Sequence, residues 1–261
     1  MRVRFLADLS DGHDGGVGGR EVFLRYCTVA GDEVATTWEQ ARADLIVEGL
    51  PVRVPPTYRG QRSYPGLFWA ATNDRTLVYE SLLELDRLWL ADFDPAVTRI
   101  CTQPFQVTGL DGTDARLHVP DVLLIDDDGT ATVVDVKPAA LVEKPRVRAQ
   151  FEWTRRLCRD KGWRYEVFTG SDPILLRNIK LLALGRRPGR LPDEYLPEVR
   201  ARLDEPETTL GNILARRPVT GDESLWHAAV FALAWSGEVT IDLHHPVNAE
   251  TILQRTTEVM A

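Results

Sequence analysis

Asp121, Asp135 and Lys137 are the side chains of this 261-residue chain whose types and spacing could do chemistry. In the run HVPDVLLIDDDGTATVVDVKP, Asp121 follows Pro120 at the head of an apolar stretch, and Asp135 and Lys137 lie 14 and 16 residues later. The stretches VLLI and TATVVDV are joined by Asp-Asp-Asp-Gly-Thr, whose Asp-Gly pair is a hairpin signal. Period-two alternation puts Asp135 and Lys137 on one face and Val136 on the other. Folding of the hairpin can bring Asp121 near Asp135. Two carboxylates on neighbouring strands make a pocket for a hard divalent cation such as Mg2+, which takes oxygen ligands and keeps several waters. A lysine beside them can orient or deprotonate a water, or stabilise charge on a phosphate. Each half alone is ordinary: Val-Asp-Val-Lys suits any half-exposed strand, and Pro-Asp is common at strand entrances. The combination on one hairpin, behind a helix bearing carboxylates, is the specific signal.

That helix is expected over VYESLLELDRLWLADF, about four turns with apolar residues three and four apart. Glu80 and Glu84 share one side of it. On a helical wheel Glu84 lies nearer the apolar arc of Leu85, Leu88 and Trp89, and Glu80 turns further towards solvent. A metal ligand belongs at the edge of a core, so Glu84 is the preferred third carboxylate and Glu80 the alternative. Downstream, a second helix is expected from Pro145 to Lys161, stopped by Gly162. Gln150 on it could orient a phosphate or the lysine, although a helical glutamine is usually just solvated. His118 invites a general-base reading, but strand alternation points it to the face opposite Asp121, which favours a structural or incidental role.

These elements define the central block, residues 66–170: a strand GLFWAAT, the helix, the β-rich AVTRICTQPFQVTGL and DARLHVPDVLLIDD, the hairpin partner, the second helix and the strand RYEVFTG. Helix, strands, helix, strand is the order of a mixed α/β core. Residues 1–65 form a leading region in which RVRFLADL and REVFLRYCTVAG are expected strands about the turn DGHDGGVGG, WEQARADLIVEGL a helix, and the basic loop YRGQRSYPG a connector more readily than a nucleic-acid contact. Residues 171–261 are mostly helical by spacing. They close with a short strand EVTIDL, then HHPVNAETILQRTTEV as loop and helix, a pattern suggesting a winged-helix module. Trp226, Phe231 and Trp235 at helical spacing suit a core better than a binding surface. His244 and His245 fall in the expected wing loop, where DNA contact and simple exposure are equally open.

The bulk numbers bound the function classes. The net charge of −8 argues against binding DNA by bulk electrostatics. Residues 144–217, however, hold 17 Lys/Arg against 10 Asp/Glu, a net of +7. That is compatible with a local phosphate-binding face or with solvated helix surfaces. No apolar run approaches the roughly 18 residues of a membrane span, and the apolar stretch at the start is too short for a secretory signal. Cys27, Cys101 and Cys158 are odd in number and widely spaced, suggesting a reducing cytoplasm and neither a disulfide framework nor a zinc cluster.

Taken together, Ser-x-x-Glu ending at Glu84, then Phe-Asp-Pro-x-Val, Gln-Pro-Phe, Pro-Asp at Asp121 and Asp-x-Lys at Asp135 and Lys137 resemble the TnsA-like endonuclease subunit of heteromeric transposases, within the PD-(D/E)xK nuclease superfamily. The resemblance covers residues 66–170 well and the C-terminal region only in kind. Better-known members sometimes have Gln at the position of Asp135; Asp is the general choice of the superfamily. The fold implied is a restriction-endonuclease-like PD-(D/E)xK core with a mixed sheet flanked by helices, a small β-containing N-terminal region and a mostly helical, winged-helix-like C-terminal domain. The resemblance further implies Mg2+ or Mn2+ held by Glu84, Asp121, Asp135 and the backbone carbonyl of Val136, with Lys137 activating water. It implies nicking of DNA at transposon ends, on the strand left uncut by the partner, an integrase-type TnsB-like transposase, and often regulation by a TnsC-like AAA+ ATPase. A stand-alone restriction or repair nuclease, or a non-catalytic DNA-binding assembly subunit, would share parts of this pattern.

Overall fold

The computed structural model describes residues 21–53, 64–203, 207–218 and 221–256. The expected strand RVRFLADL, the glycine-rich turn after it and most of the basic loop YRGQRSYPG lie outside these residues.

In chain order the elements begin with β1 (Phe23–Cys27), β2 (Glu33–Thr37), α1 (Ala43–Ile46), the hairpin β3 (Gly66–Ala70) and β4 (Arg75–Tyr79), and α2 (Leu82–Phe93). Then come β5 (Val97–Thr102), β6 (Gln106–Asp111), β7 (Asp114–His118), β8 (Val122–Asp126) and β9 (Ala131–Val136). The short α3 (Ala139–Val142) precedes α4 (Pro145–Lys161) and β10 (Arg164–Phe168). The C-terminal part holds α5 (Pro173–Leu182), α6 (Tyr195–Arg202), β11 (Glu207–Thr209), α7 (Leu210–Ala215), α8 (Glu223–Trp235), β12 (Val239–Thr240) and β13 (Ile252–Arg255).

The central sheet has the order β10-β9-β8-β5, with β10 parallel to β9 and the other pairs antiparallel. Alternation along its strands divides two cores. Leu123 and Val133 face Trp153 and Cys158 of α4, together with Leu24, Trp38 and Val107. Val122, Leu124, Val134 and Val136 face Leu88 and Ala91 of α2, with Phe68 and Leu77 of the β3–β4 hairpin. The mixed α/β class is therefore as the sequence indicates. A second sheet, β2-β1-β6-β7, joins the strands of the leading region to those of the central block, with Phe23 opposite Thr108.

Local chemistry sets the element ends. α2 starts at Ser81, whose hydroxyl accepts the Glu84 N–H. It stops at Asp94, extended because Pro95 follows. α4 has Pro145 in its first turn and ends at Gly162 with φ 79°, where Trp163 N–H reaches the Cys158 carbonyl, a Schellman closure. The β8–β9 turn uses Gly129 at φ 80°.

Three expectations for local structure need correction. The helix expected from Val78 begins four residues later, because Arg75–Tyr79 pair with Gly66–Ala70 as a strand. The helix expected across WEQARADLIVEGL shrinks to Ala43–Ile46, and Leu50 bridges back to Cys27. In place of the terminal helix, Ile252–Arg255 form the central strand of a three-stranded sheet, β11-β13-β12. Strand pairing, with an adjacent hairpin partner for Arg75–Tyr79 and with more distant partners for Ile252–Arg255, overrides helical periodicity in such short segments. This small sheet and α5–α8 share a third core around Trp226, whose indole N–H donates to the Ile213 carbonyl at 3.1 Å. Phe231 is buried with it, and Trp235 packs edge-on against Phe93 of α2 at 5.2 Å.

Candidate active site

Asp121 sits where β8 begins, one step beyond the Val122–Val134 pair and therefore opposite Asp135. Its N–H donates to the Val134 carbonyl at 3.1 Å, and its Oδ2 accepts the Val136 N–H at 2.7 Å. Oδ1 has no hydrogen-bond partner among the described residues. Burial, then the charge of Glu84, then that of Asp135 push the Asp121 carboxyl up to about 8, against the pull of the Val136 N–H and of Lys137. Glu84, from a helix, and Asp135, from the partner strand, thus each lie within electrostatic reach of Asp121.

Glu84 is 7% exposed. Its Oε1 accepts the Ser81 hydroxyl at 2.9 Å and its Oε2 the Glu80 N–H at 2.8 Å. With Ser81 accepting the Glu84 N–H, Ser-x-x-Glu is locally a variant of the capping box, one residue further back than usual at the Glu80 N–H. Burial raises the Glu84 carboxyl, partly offset by these donors. Glu80 precedes the Ser81 cap and so lies outside α2, where the helical-wheel argument does not apply; its partly exposed carboxylate pairs with Arg53 at 3.0 Å.

Asp135 is 2% exposed. The phenol of Tyr165 donates to its Oδ2 at 2.5 Å, and Nε2 of His118 lies 2.9 Å from both carboxylate oxygens. Val136 faces the opposite core, as alternation requires. Lys137 lies just past β9; its N–H donates to the Phe168 carbonyl at 2.9 Å, and its ammonium makes no direct hydrogen bond or ion pair among the described residues. Gln150, on the second turn of α4, has a buried amide nitrogen without a partner.

The position of His118 corrects the alternation argument. β7 ends at His118 and belongs to the second sheet, and the chain re-aims at Val119-Pro120 before β8 starts, so strand parity does not carry from His118 to Asp121. Tyr165 gave no signal in the sequence beyond a place in a short strand. Gln103 of Gln-Pro-Phe is a further unforeseen feature: it is fully buried at φ 43°, both polar atoms of its side-chain amide lack partners among the described residues, and its backbone N–H donates to the Asp121 carbonyl at 2.9 Å. A left-handed backbone at a non-glycine residue before proline is costly.

The donor set consists of oxygens with mutually repelling charges, which suits a hard divalent cation such as Mg2+ or Mn2+ better than the nitrogen and sulfur sites of zinc. Among the described residues, no three His, Cys, Asp or Glu side chains form a ready-made metal cluster. Glu84 and Asp135 already accept hydrogen bonds on both oxygens, so an ion would share those oxygens with the existing donors. The chemistry of the donors fits the ion; the spacing is that of hydrogen-bonded carboxylates.

Residues 94–170 match the family described as TnsA-like endonuclease N terminal. The matched segment includes His118, Asp121, Asp135, Lys137, Gln150 and Tyr165; it begins one residue after α2, so Glu84 lies outside it. No curated protein matches the chain.

Proposed function

We propose, from the TnsA-like character of residues 94–170, that this chain is a metal-dependent DNA endonuclease subunit of a heteromeric transposase. Its substrate would be DNA at transposon ends, nicked on the 5′ strand, beside an integrase-type TnsB-like transposase and a TnsC-like AAA+ ATPase. The observation that carries the reading is Asp121 inside the TnsA-like segment, opposite Asp135 on the hairpin, its carboxyl raised by burial and then by the neighbouring charges of Glu84 and Asp135. Groups perturbed in this way cluster at functional sites.

In this reading Glu84, Asp121, Asp135 and the Val136 carbonyl hold Mg2+ or Mn2+, which when bound polarises the scissile phosphate and steadies the leaving oxygen. Lys137, its ammonium without a direct partner among the described residues, would orient the attacking water and steady charge on the phosphate by donating hydrogen bonds; accepting the proton of the water would require its neutral amine form. Gln150, with an unpaired buried amide N–H, orients a phosphate oxygen or the lysine. Glu80, paired with Arg53, is left as a flanking charge. The C-terminal helices and three-stranded sheet serve as a winged-helix-like docking or DNA-contacting part.

The test is reconstituted cleavage of labelled transposon ends with an integrase-type transposase as partner. Asp121→Ala should abolish Mg2+-dependent nicking while the protein stays folded. Undiminished cleavage by that variant would sink the assignment. One observation favours a rival: the hydrogen bonds already made by Glu84 and Asp135 would suit a DNA-binding assembly subunit without catalysis. Calorimetry with Mn2+ separates the two readings, since the rival requires no binding of the ion.

A further inference from the structure

A carboxylate that is 2% exposed must be satisfied by donors or by a cation. Those of Asp135 come from two strands in two different sheets. Tyr165 stands opposite Val133 in the parallel β9–β10 register, on the same face as Asp135 and two residues short of it. That offset is about 6–7 Å along a strand, and the phenol spans it. Its ring lies between α4 side chains, 6.5 Å from the Phe151 ring and 5.3 Å below the Arg155 guanidinium, which fixes its direction. His118 arrives from the end of β7, 14% exposed, its Nε2 equidistant from the two oxygens. Both oxygens are acceptors when Asp135 is ionised, so Nε2 must carry the proton that is shared between them.

We infer that His118 and Tyr165 are positioning residues for Asp135, locking the plane of its carboxylate and leaving Oδ1 as the oxygen open to a divalent cation. This rests on reading Asp135 as a metal ligand. A carboxylate has about four acceptor sites. Oδ2 uses its two on Tyr165 and His118; Oδ1 uses one on His118 and keeps the other. Across the hairpin Asp121 follows the same pattern, with Oδ2 held by the Val136 N–H and Oδ1 without a partner among the described residues. In each aspartate Oδ2 is the more firmly anchored oxygen; Oδ1 keeps one acceptor site beside the His118 bond in Asp135 and has no partner among the described residues in Asp121. Orientation of ligands by hydrogen-bonding partners of this kind is a general determinant of metal affinity.

The experiment is Mn2+ titration of the full chain by calorimetry, in the absence of DNA, with thermal unfolding recorded for every variant. Tyr165→Phe and His118→Ala should each weaken Mn2+ binding by about 10- to 100-fold. His118→Gln, which restores an N–H donor, should recover part of that loss. A purely structural role would lower thermal stability, leave Mn2+ affinity unchanged and show no rescue by Gln. Wild-type affinity in both Tyr165→Phe and His118→Ala, alongside lost binding in Asp121→Ala, overturns this inference and leaves the nuclease reading standing. Unchanged binding in Asp121→Ala overturns both. Should Tyr165→Phe unfold, the comparison of His118→Ala with His118→Gln decides by itself.

Discussion

At Asp121 the energetic signature of the site is a carboxyl raised from 3.8 to about 8 by burial and by two neighbouring carboxylates. The folded state therefore holds this proton more tightly than the unfolded chain does. The stability contributed by Asp121 is fully present below the unfolded value of about 4 and is lost as pH rises through about 8. Metal-free protein should accordingly melt at lower temperature as pH rises across that window. Asp121→Asn keeps an acceptor for the Val136 N–H but removes the titration. It should flatten this slope and melt above wild type at about pH 8, while cleavage is lost. Thermal melts across the window check it; an unchanged slope in the variant would assign the titration to another group. The residue types at the site were readable because Pro-Asp and Asp-x-Lys are local patterns. His118 and Tyr165 were not, because their contacts to Asp135 join residues 17 and 30 positions apart.

Among the elements, α2 couples stability to the site through one hydroxyl. Ser81 caps the helix by accepting the Glu84 N–H and donates to the Glu84 carboxylate. Ser81→Ala should cost about 1 kcal/mol for the cap alone, and should also weaken Mn2+ binding by freeing Glu84. Gly162→Ala is the matched control at the end of α4. Forcing a Cβ into φ 79° should cost about 1–2 kcal/mol and leave Mn2+ affinity untouched. Denaturant unfolding and calorimetry on both variants separate these effects. The apolar spacing of α2 and α4 and the Gly162 stop are short-range, which is why both helices were legible in the sequence, although the Ser81 cap that starts α2 was not. The β3–β4 hairpin and the β13 strand are stabilised by partners that spacing alone does not name, and there helical periodicity misled.

For the whole molecule, the basic excess of residues 144–217 is largely consumed internally. Arg156 pairs with Asp111, Arg164 with Asp126, Lys180 with Asp86 and Arg200 with Glu238. Arg186 and Arg187 lie over the Trp89 and Trp69 rings, at 4.3 and 3.8 Å, tying the chain after α5 to α2 and the β3–β4 hairpin. A net +7 over a segment therefore does not become a bare cationic face, and the net charge of −8 stands against it. The isolated chain should bind naked DNA weakly and with a shallow salt dependence. Tight binding that falls steeply between about 50 and 200 mM salt would contradict this. Filter binding over a salt series measures it directly, with recruitment by the partner transposase as the comparison.

The sequence by itself determined the mixed α/β class, the hairpin that sets Asp121 opposite Asp135, and the glycine stop of α4. Each follows from alternation, helical spacing or a turn residue, which act over a few positions of chain. Only the tertiary structure decided that the leading strands join β6 and β7 in one sheet, that the C-terminal segment pairs as a strand, and that His118 and Tyr165 close on Asp135. Those outcomes depend on long-range pairing and on the burial of a charge. A buried carboxylate takes its donors from whatever strands the fold brings beside it, and no local pattern of residues records which strands those are.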